Sequence, residues 1–450
     1  MMPGYGRMLT HTAQYIDASG DVTLLNEFEP HLDAVVTLIR RKLNASRLLP
    51  LDNIAHGILL GCDEADSCTE YGTWVGTMGE LPYFSSAMEV WRGLVDLGQI
   101  YVTKVPAKAG EGEQLRTEAK VLSADIKRSW ARSVNTNADG SKCYPYVAGA
   151  GLNRSIPLNN CSRVEGMVPS YHPAWHPGGP QTTGQQFKRT SEPWRAFPEM
   201  YHSGWLQPDE IAAIHKYCMD HDKLARLGIY GGVNIENGMF GHTAYGEAFG
   251  LLAADMVPEF LLFLFAQSHH VYTTGTWTGF EKTVIDRSVQ GFYQFFASPA
   301  QLTVPTALRW SLVFDDAATG TIALGRAVPR KWLSQPNASI AVENAPVSRQ
   351  LLTDGTVSFS VQSAGGNTVI ASVTIGKVGA ALKSLSLRVR APLSWGAITT
   401  LTVGGTDMMG SLGGKSNDTL TMLSPLPSAA SLASIKTVFG TQEGARSVAA

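Results

Sequence analysis

Apolar residues in this chain recur with one spacing up to about residue 317 and with another after it, and that switch limits the fold more than any other feature. In the first part they fall at i, i+3 and i+4, the period of a helix with one buried face. Leu24, Leu25, Phe28, Leu32, Val35, Val36 and Ile39 make one such stripe, with Asp21 placed to cap it and Pro30 predicting a kink or break inside it. Leu9 to Ile16 reads as helix, as do the segment carrying Met88, Trp91, Leu94 and Leu97 and that from Glu113 to Val134. Further helices are expected from Pro208 to about Asp222, over Ala244 to Ala254, over Val257 to Tyr272, and from Leu302 to Asp316. Between Asn135 and Ser203 the chain is rich in Gly, Pro, Asn, Ser, His and Trp, and a loop of that length belongs to a binding or catalytic surface.

After residue 318 short alternating runs take over: Thr321 to Leu324, Ser339 to Val342, Val357 to Gln362, Thr368 to Ile375, Leu385 to Val389 and Thr399 to Val403. Gly, Asn, Asp and Pro separate them, the pattern of an antiparallel β-sandwich. The reading is therefore α+β and multidomain: helical hairpins over residues 1–317, a β-sandwich over 318–422, and a tail over 423–450. The Ser, Ala and Pro content of that tail predicts partial disorder.

Formal net charge is −2 and no basic stripe occurs, which excludes an electrostatic case for nucleic-acid binding. The greasiest run, Val257 to Phe265, is too short to span a bilayer. None of the cysteines Cys62, Cys68, Cys143, Cys161 and Cys218 has the paired spacing of a zinc site. Asn-X-Ser/Thr sequons at Asn44, Asn153, Asn160, Asn337 and Asn417 favour a secreted glycoprotein, although no signal peptide is visible.

Candidate chemistry rests on carboxylates among aromatics. Asp63, Glu64 and Asp66 crowd one loop; mutual repulsion raises at least one of their pKa values, as a general acid at neutral pH requires. Tyr71, Trp74 and Tyr83 follow, offering flat faces for sugar rings. Glu199 is read as a loop residue just ahead of a helix, among Trp194, Phe197, Tyr201, His202 and Trp205, where aromatic walls favour its protonated form unless Arg195 pairs with it. Glu281 stands beside Trp277, as a rim residue would. His242 and Tyr245 are placed to bind hydroxyls, and Glu247 fits a helix surface. His172 and His176 are four apart, but Pro173 breaks the helix that would aim both at a metal. No GxSxG elbow, phosphate loop or dinucleotide fingerprint occurs.

The blocks Gly57 to Asp66, Trp74 to Gly93, Trp194 to Ser203, Gly275 to Glu281 and Pro299 to Pro305 resemble the six-hairpin glycosidase superfamily. So do Trp310 to Phe314, Gly325 to Leu333 and Val342 to Pro346, and the likeness covers roughly residues 5 to 375 of an uncharacterised bacterial and fungal type of branch. The resemblance implies an (α/α)6 toroid with β-sandwich domains and hydrolysis of glycosidic bonds by two carboxylates. Fewer helices are legible than six complete hairpins need, so an N-terminally truncated member is expected.

The sequence thus reads as a glycoside hydrolase acting on an oligo- or polysaccharide, with no cofactor and no metal implied. Glu199 or Glu281 is expected as acid and one of Asp63, Glu64 and Asp66 as base, with Trp74, Tyr83, Trp194, Tyr201, His202, His242, Tyr245 and Trp277 binding substrate. Inversion is expected, for which the carboxyls would stand roughly 6.5–9.5 Å apart rather than roughly 5 Å. The rivals are a polysaccharide lyase using His202 with Tyr201 or His242 with Tyr245, and a non-catalytic carbohydrate-binding protein.

Overall fold

The computed structural model describes residues 2–61, 82–136, 140, 142–148, 193–221, 225–230, 238–284, 296, 298–317, 319–335, 337–392, 394–413, 418–423, 426–427, 432 and 434–441. The chain divides into two units, Met1–Ile16 with Gly20–Val304, and Asp17–Ser19 with Pro305–Ala450.

In the first unit the helical stripes become helices. Leu9, Ala13 and Ile16 line one face of α1 (Met2–Ser19), and Leu25, Leu32, Val35, Val36, Ile39 and Leu43 one face of α2 (Thr23–Ser46). Helix α2 runs unbroken past Pro30; Asp21 accepts the Thr23 amide at 2.8 Å, and Val22 takes the capping position. Helices α3 (Phe84–Lys104) and α4 (Ala109–Ser133) follow, and all these stripes meet in one apolar core. Two glycines bring α1 close to α3. A methyl on Gly93 would stand 2.5 Å from the Gly6 carbonyl oxygen, and one on Gly6 would stand 2.5 Å from the Val90 amide nitrogen.

Beyond a small ribbon, β1 (Asn135–Thr136) with β2 (Lys142–Cys143), come α5 (Pro193–His202) and α6 (Pro208–His221). Glu199 therefore lies within a helix, not in a loop ahead of one. Pro198 hides that in the sequence, since proline inside a helix removes a hydrogen bond that packing must make good. Strands β3 (Gly238–Phe240) and β4 (Lys282–Val284) pair antiparallel, and α7 (Ala244–Ala253) and α8 (Val257–Ala266) lie between them in sequence. The helix expected to reach Tyr272 changes pitch at Gln267 and closes as a π turn over Gln267–Val271. Glu247 is buried rather than on a helix surface, accepting the Tyr230 amide at 3.3 Å.

Helix α9 (Ser298–Leu312) carries the chain from one unit to the other. Val313–Asp316, expected as its last turn, is instead strand β5, because it pairs antiparallel with β6 (Thr321–Leu324) and Val313 joins the β unit's core. The remaining strands are β7 (Ser339–Pro346), β8 (Thr356–Gly365), β9 (Thr368–Ile375), β10 (Ser384–Arg388), β11 (Trp395–Val403), β12 (Thr406–Asp407), β13 (Leu412–Gly413), β14 (Thr419–Leu423) and β15 (Ile435–Thr441). They form a five-stranded sheet in the order β13-β14-β10-β6-β5 and a six-stranded sheet in the order β12-β11-β15-β9-β8-β7.

Alternation sets the faces. Val357, Phe359 and Val361 of β8 stand opposite Ile375, Val373 and Ala371 of β9, and residues of both sheets share one core. Two expectations are corrected here. The pairing of β10 with β6 is parallel, since the strands between them in sequence belong to the other sheet and the chain returns in the same direction. Ile435–Thr441, inside the segment expected as a disordered tail, is an interior strand between β11 and β9, because Ile435 and Phe439 are apolar enough to be buried there.

Candidate functional site

The close approach of α1 to α3 places Arg7, on the next residue after Gly6, against buried acid. Its Nη2 donates to Glu199 Oε1 on α5 at 2.5 Å, and its Nη1 donates to the Tyr245 hydroxyl on α7 at 3.2 Å. Glu89 on α3 is wholly buried, and its Oε1 lies 3.2 Å from His202 Nδ1. With its proton on Nδ1, His202 donates this bond and leaves Nε2 for other work. The His202 ring meets the Tyr245 ring edge-on at 5.1 Å, and His11 lies 6.3 Å from it.

Glycines again set the geometry. Gly246 leaves no room for a side chain beside the Pro198 backbone, and a methyl on Gly250 would stand 2.6 Å from Tyr201 Cβ. These two positions, four apart on α7, let α5 lie directly on it and bring Glu199 and His202 up to Tyr245.

Electrostatics follow from this packing. Burial works against the Arg7 charge, yet Glu199, then Tyr245 and Glu89, outweigh it and hold the guanidinium well above its ordinary range. Removal from water, opposed by Arg7 and aided by Glu89 and Glu199, pushes the Tyr245 phenol up to about 12, so it is a hydrogen-bond donor at neutral pH. Glu199 is ion-paired to Arg7 at 2.5 Å, so a cation, and not only the aromatic neighbours expected from the sequence, faces its carboxyl. Burial is uneven across the cluster: Glu199 is 3% exposed, while the Arg7 side chain keeps 23% of its surface.

Of the residues singled out from the sequence, Glu199, His202 and Tyr245 are brought together. Asp63, Glu64, Asp66, Trp74, Tyr71, His172 and His176 lie outside the described residues, as do Cys62, Cys68 and Cys161. Trp194 lies in α5, where only its backbone is described. Tyr83, expected to stack on sugars, is a core residue whose backbone bridges to Val147. Tyr201 is also a core residue: its hydroxyl meets that of Tyr230 at 3.1 Å, which in turn meets His215 Nδ1 at 2.7 Å. Burial holds both phenols far above their usual range and pulls His215 down to about 4. His242 is partly exposed in the segment leading into α7, and the Glu281 carbonyl accepts the Gly241 amide at 2.8 Å. Trp277 is 58% exposed.

Sequence reasoning missed Arg7 and Glu89. A signal existed for each: Arg7 is the single formal charge between Met1 and Ile16, and Glu89 the single one between Leu81 and Trp91. A lone charge in an apolar helix is expensive to bury unless a partner waits for it.

No family model and no curated protein matches the sequence. Among solved structures the chain is similar to a GH127 beta-L-arabinofuranosidase from Geobacillus stearothermophilus T6, at 12% identity and TM-score 0.33 over 96% of this chain and 71% of that one. It is also similar to a structure described as a glycoside hydrolase, at 11% identity and TM-score 0.30 over 98% and 73% of the two chains. A third is a GH127 beta-arabinofuranosidase, at 6% identity and TM-score 0.30 over 97% and 70%.

Proposed function

We propose that this chain is a glycoside hydrolase whose proton-accepting carboxylate is Glu199. The observation that carries the reading is the Arg7–Glu199 ion pair, set in a helical unit beside the His202–Glu89 pair and the Tyr245 hydroxyl. Arg7 keeps Glu199 ionised, so it serves to deprotonate a water that attacks the anomeric carbon. His202, held by Glu89, and Tyr245 supply hydrogen bonds to sugar hydroxyls. Glu89 is fully buried and acts through His202 as a positioning residue. The acid that protonates the leaving oxygen then comes from Glu281 or from Asp63, Glu64 and Asp66. A base acting through water goes with inversion.

The test is reducing-sugar release from aryl glycosides and oligosaccharides by the wild type and by Glu199→Gln, with circular dichroism to confirm the fold. Loss of a general base lowers turnover by about 10²–10⁴-fold. Equal rates in a folded Glu199→Gln variant would overturn the assignment, and no release by the wild type would overturn hydrolysis. One observation favours a second reading, a polysaccharide lyase: a Tyr and a His stand side by side, the Tyr245 hydroxyl accepting from Arg7 and the His202 ring meeting the Tyr245 ring edge-on. Ultraviolet absorbance of an unsaturated product from uronate polymers, abolished in Tyr245→Phe, would select it.

A further inference from the structure

Trp277 stands in the left-handed region, at φ 53°, where a bulky side chain is strained and Gly or Asn is at ease. It is also 58% exposed, so burial does not explain why the strain is tolerated. The surroundings enforce it. The Thr273 amide donates to the Thr278 carbonyl at 3.0 Å and the Trp277 amide to the Thr273 carbonyl at 3.1 Å. The Gln301 side chain grips the turn from both sides, donating to the Trp277 carbonyl at 2.7 Å and accepting the Gly279 amide at 2.7 Å. Tyr272 supports it from below, its ring 6.4 Å from that of Trp277 and its hydroxyl donating to the Ala300 carbonyl at 2.6 Å. Strain held in place by so many bonds, to present an indole to solvent, is a mark of a binding position.

The chemistry of the face selects the ligand. Between Val271 and Phe280 no residue is charged, and the turn that carries Trp277 also exposes Thr274 and Thr276. A flat apolar surface on a turn with neutral hydroxyls matches a sugar ring, apolar C–H on its face and hydroxyl at its edge. A phosphate-bearing ligand finds no cation on this turn. We propose that Trp277 is a stacking platform for a neutral sugar unit of a glycan chain.

The turn is fastened to the segment that builds the candidate site. Phe280 donates its amide to the Val271 carbonyl, and the Glu281 carbonyl accepts the amide of Gly241, four residues before Tyr245. Taken as a sugar subsite of that site, the platform makes the substrate an oligo- or polysaccharide chain rather than a simple glycoside; this last step rests on the hydrolase reading above.

The test is calorimetric titration of the full chain, in the Glu199→Gln background, with soluble neutral polysaccharides and their oligosaccharides. Trp277→Ala is expected to weaken binding about tenfold, the loss of one stacking contact, and Trp277→Phe to recover part of it. Trp277→Gly is expected to lose the same affinity while its thermal midpoint holds or rises, because glycine relieves the strained backbone. Unchanged affinity in a folded Trp277→Ala variant, or no glycan bound by the parent chain, would overturn the platform. Glycan binding lost in Trp277→Ala without hydrolysis by the wild type would sink the hydrolase and leave the platform standing. Hydrolysis with Trp277-independent binding would do the reverse.

Discussion

Substituting Gly6→Ala tests whether α1 is held where Arg7 needs it. The added methyl would meet Val90 N at 2.5 Å, against an ordinary contact that begins near 3.4 Å, so α1 must move off α3 by about 0.9 Å. The atoms met are backbone and cannot swing aside. Overpacking of this kind costs about 1–3 kcal/mol, and the upper half of that range applies here. Alanine in place of glycine within a helix returns about 1 kcal/mol. The net expectation is a loss of about 1–2 kcal/mol, a fall of a few degrees in thermal midpoint. Arg7 moves with the helix, and a displacement of about 1 Å at a positioned group is worth up to about 10²-fold in rate. Calorimetry and reducing-sugar release on the same preparation measure both effects. A Gly6→Ala variant more stable than wild type by about 1 kcal/mol and fully active would refute the reasoning, since only helix propensity would then have acted.

Two further outcomes are expected from other buried groups. Because burial lowers His215 from 6.5 to about 4, the folded protein binds fewer protons than the unfolded chain between those values. Stability is then full above pH 6.5 and falls as pH drops towards 4, by up to about 1.4 kcal/mol per pH unit; thermal midpoints across pH 4–7 should show that slope flattened in His215→Gln. In the β unit Arg388 Nε lies 3.0 Å from Asp418 Oδ1, both side chains buried. Removing one member of a buried pair withdraws the other's counter-charge, so Asp418→Ala should cost about 3 kcal/mol in urea unfolding, and a cost below about 1 kcal/mol would show the pair to be solvated.

The division into a helical part and a β part was legible because periodicity is a local property. The spacing of Leu32, Val35, Val36 and Ile39 commits that segment to a helix whatever it packs on, and the alternation of Val357, Phe359 and Val361 commits another to a strand. The outcome was less legible where pairing partners decide. Val313–Asp316 and Ile435–Thr441 have sequences that permit several states, and each became a strand because a neighbouring strand supplied hydrogen bonds. Residues of the candidate site divide the same way. Glu199, His202 and Tyr245 stood out through their aromatic and acidic neighbours, whereas nothing along the chain joins Arg7 to Glu199, 192 residues away. That ion pair exists because glycines at 6, 93, 246 and 250 let four helices approach within contact of their backbones. Composition and period determined what each segment is; only packing determined which charges meet, because the free energy of a buried charge depends on the partner beside it.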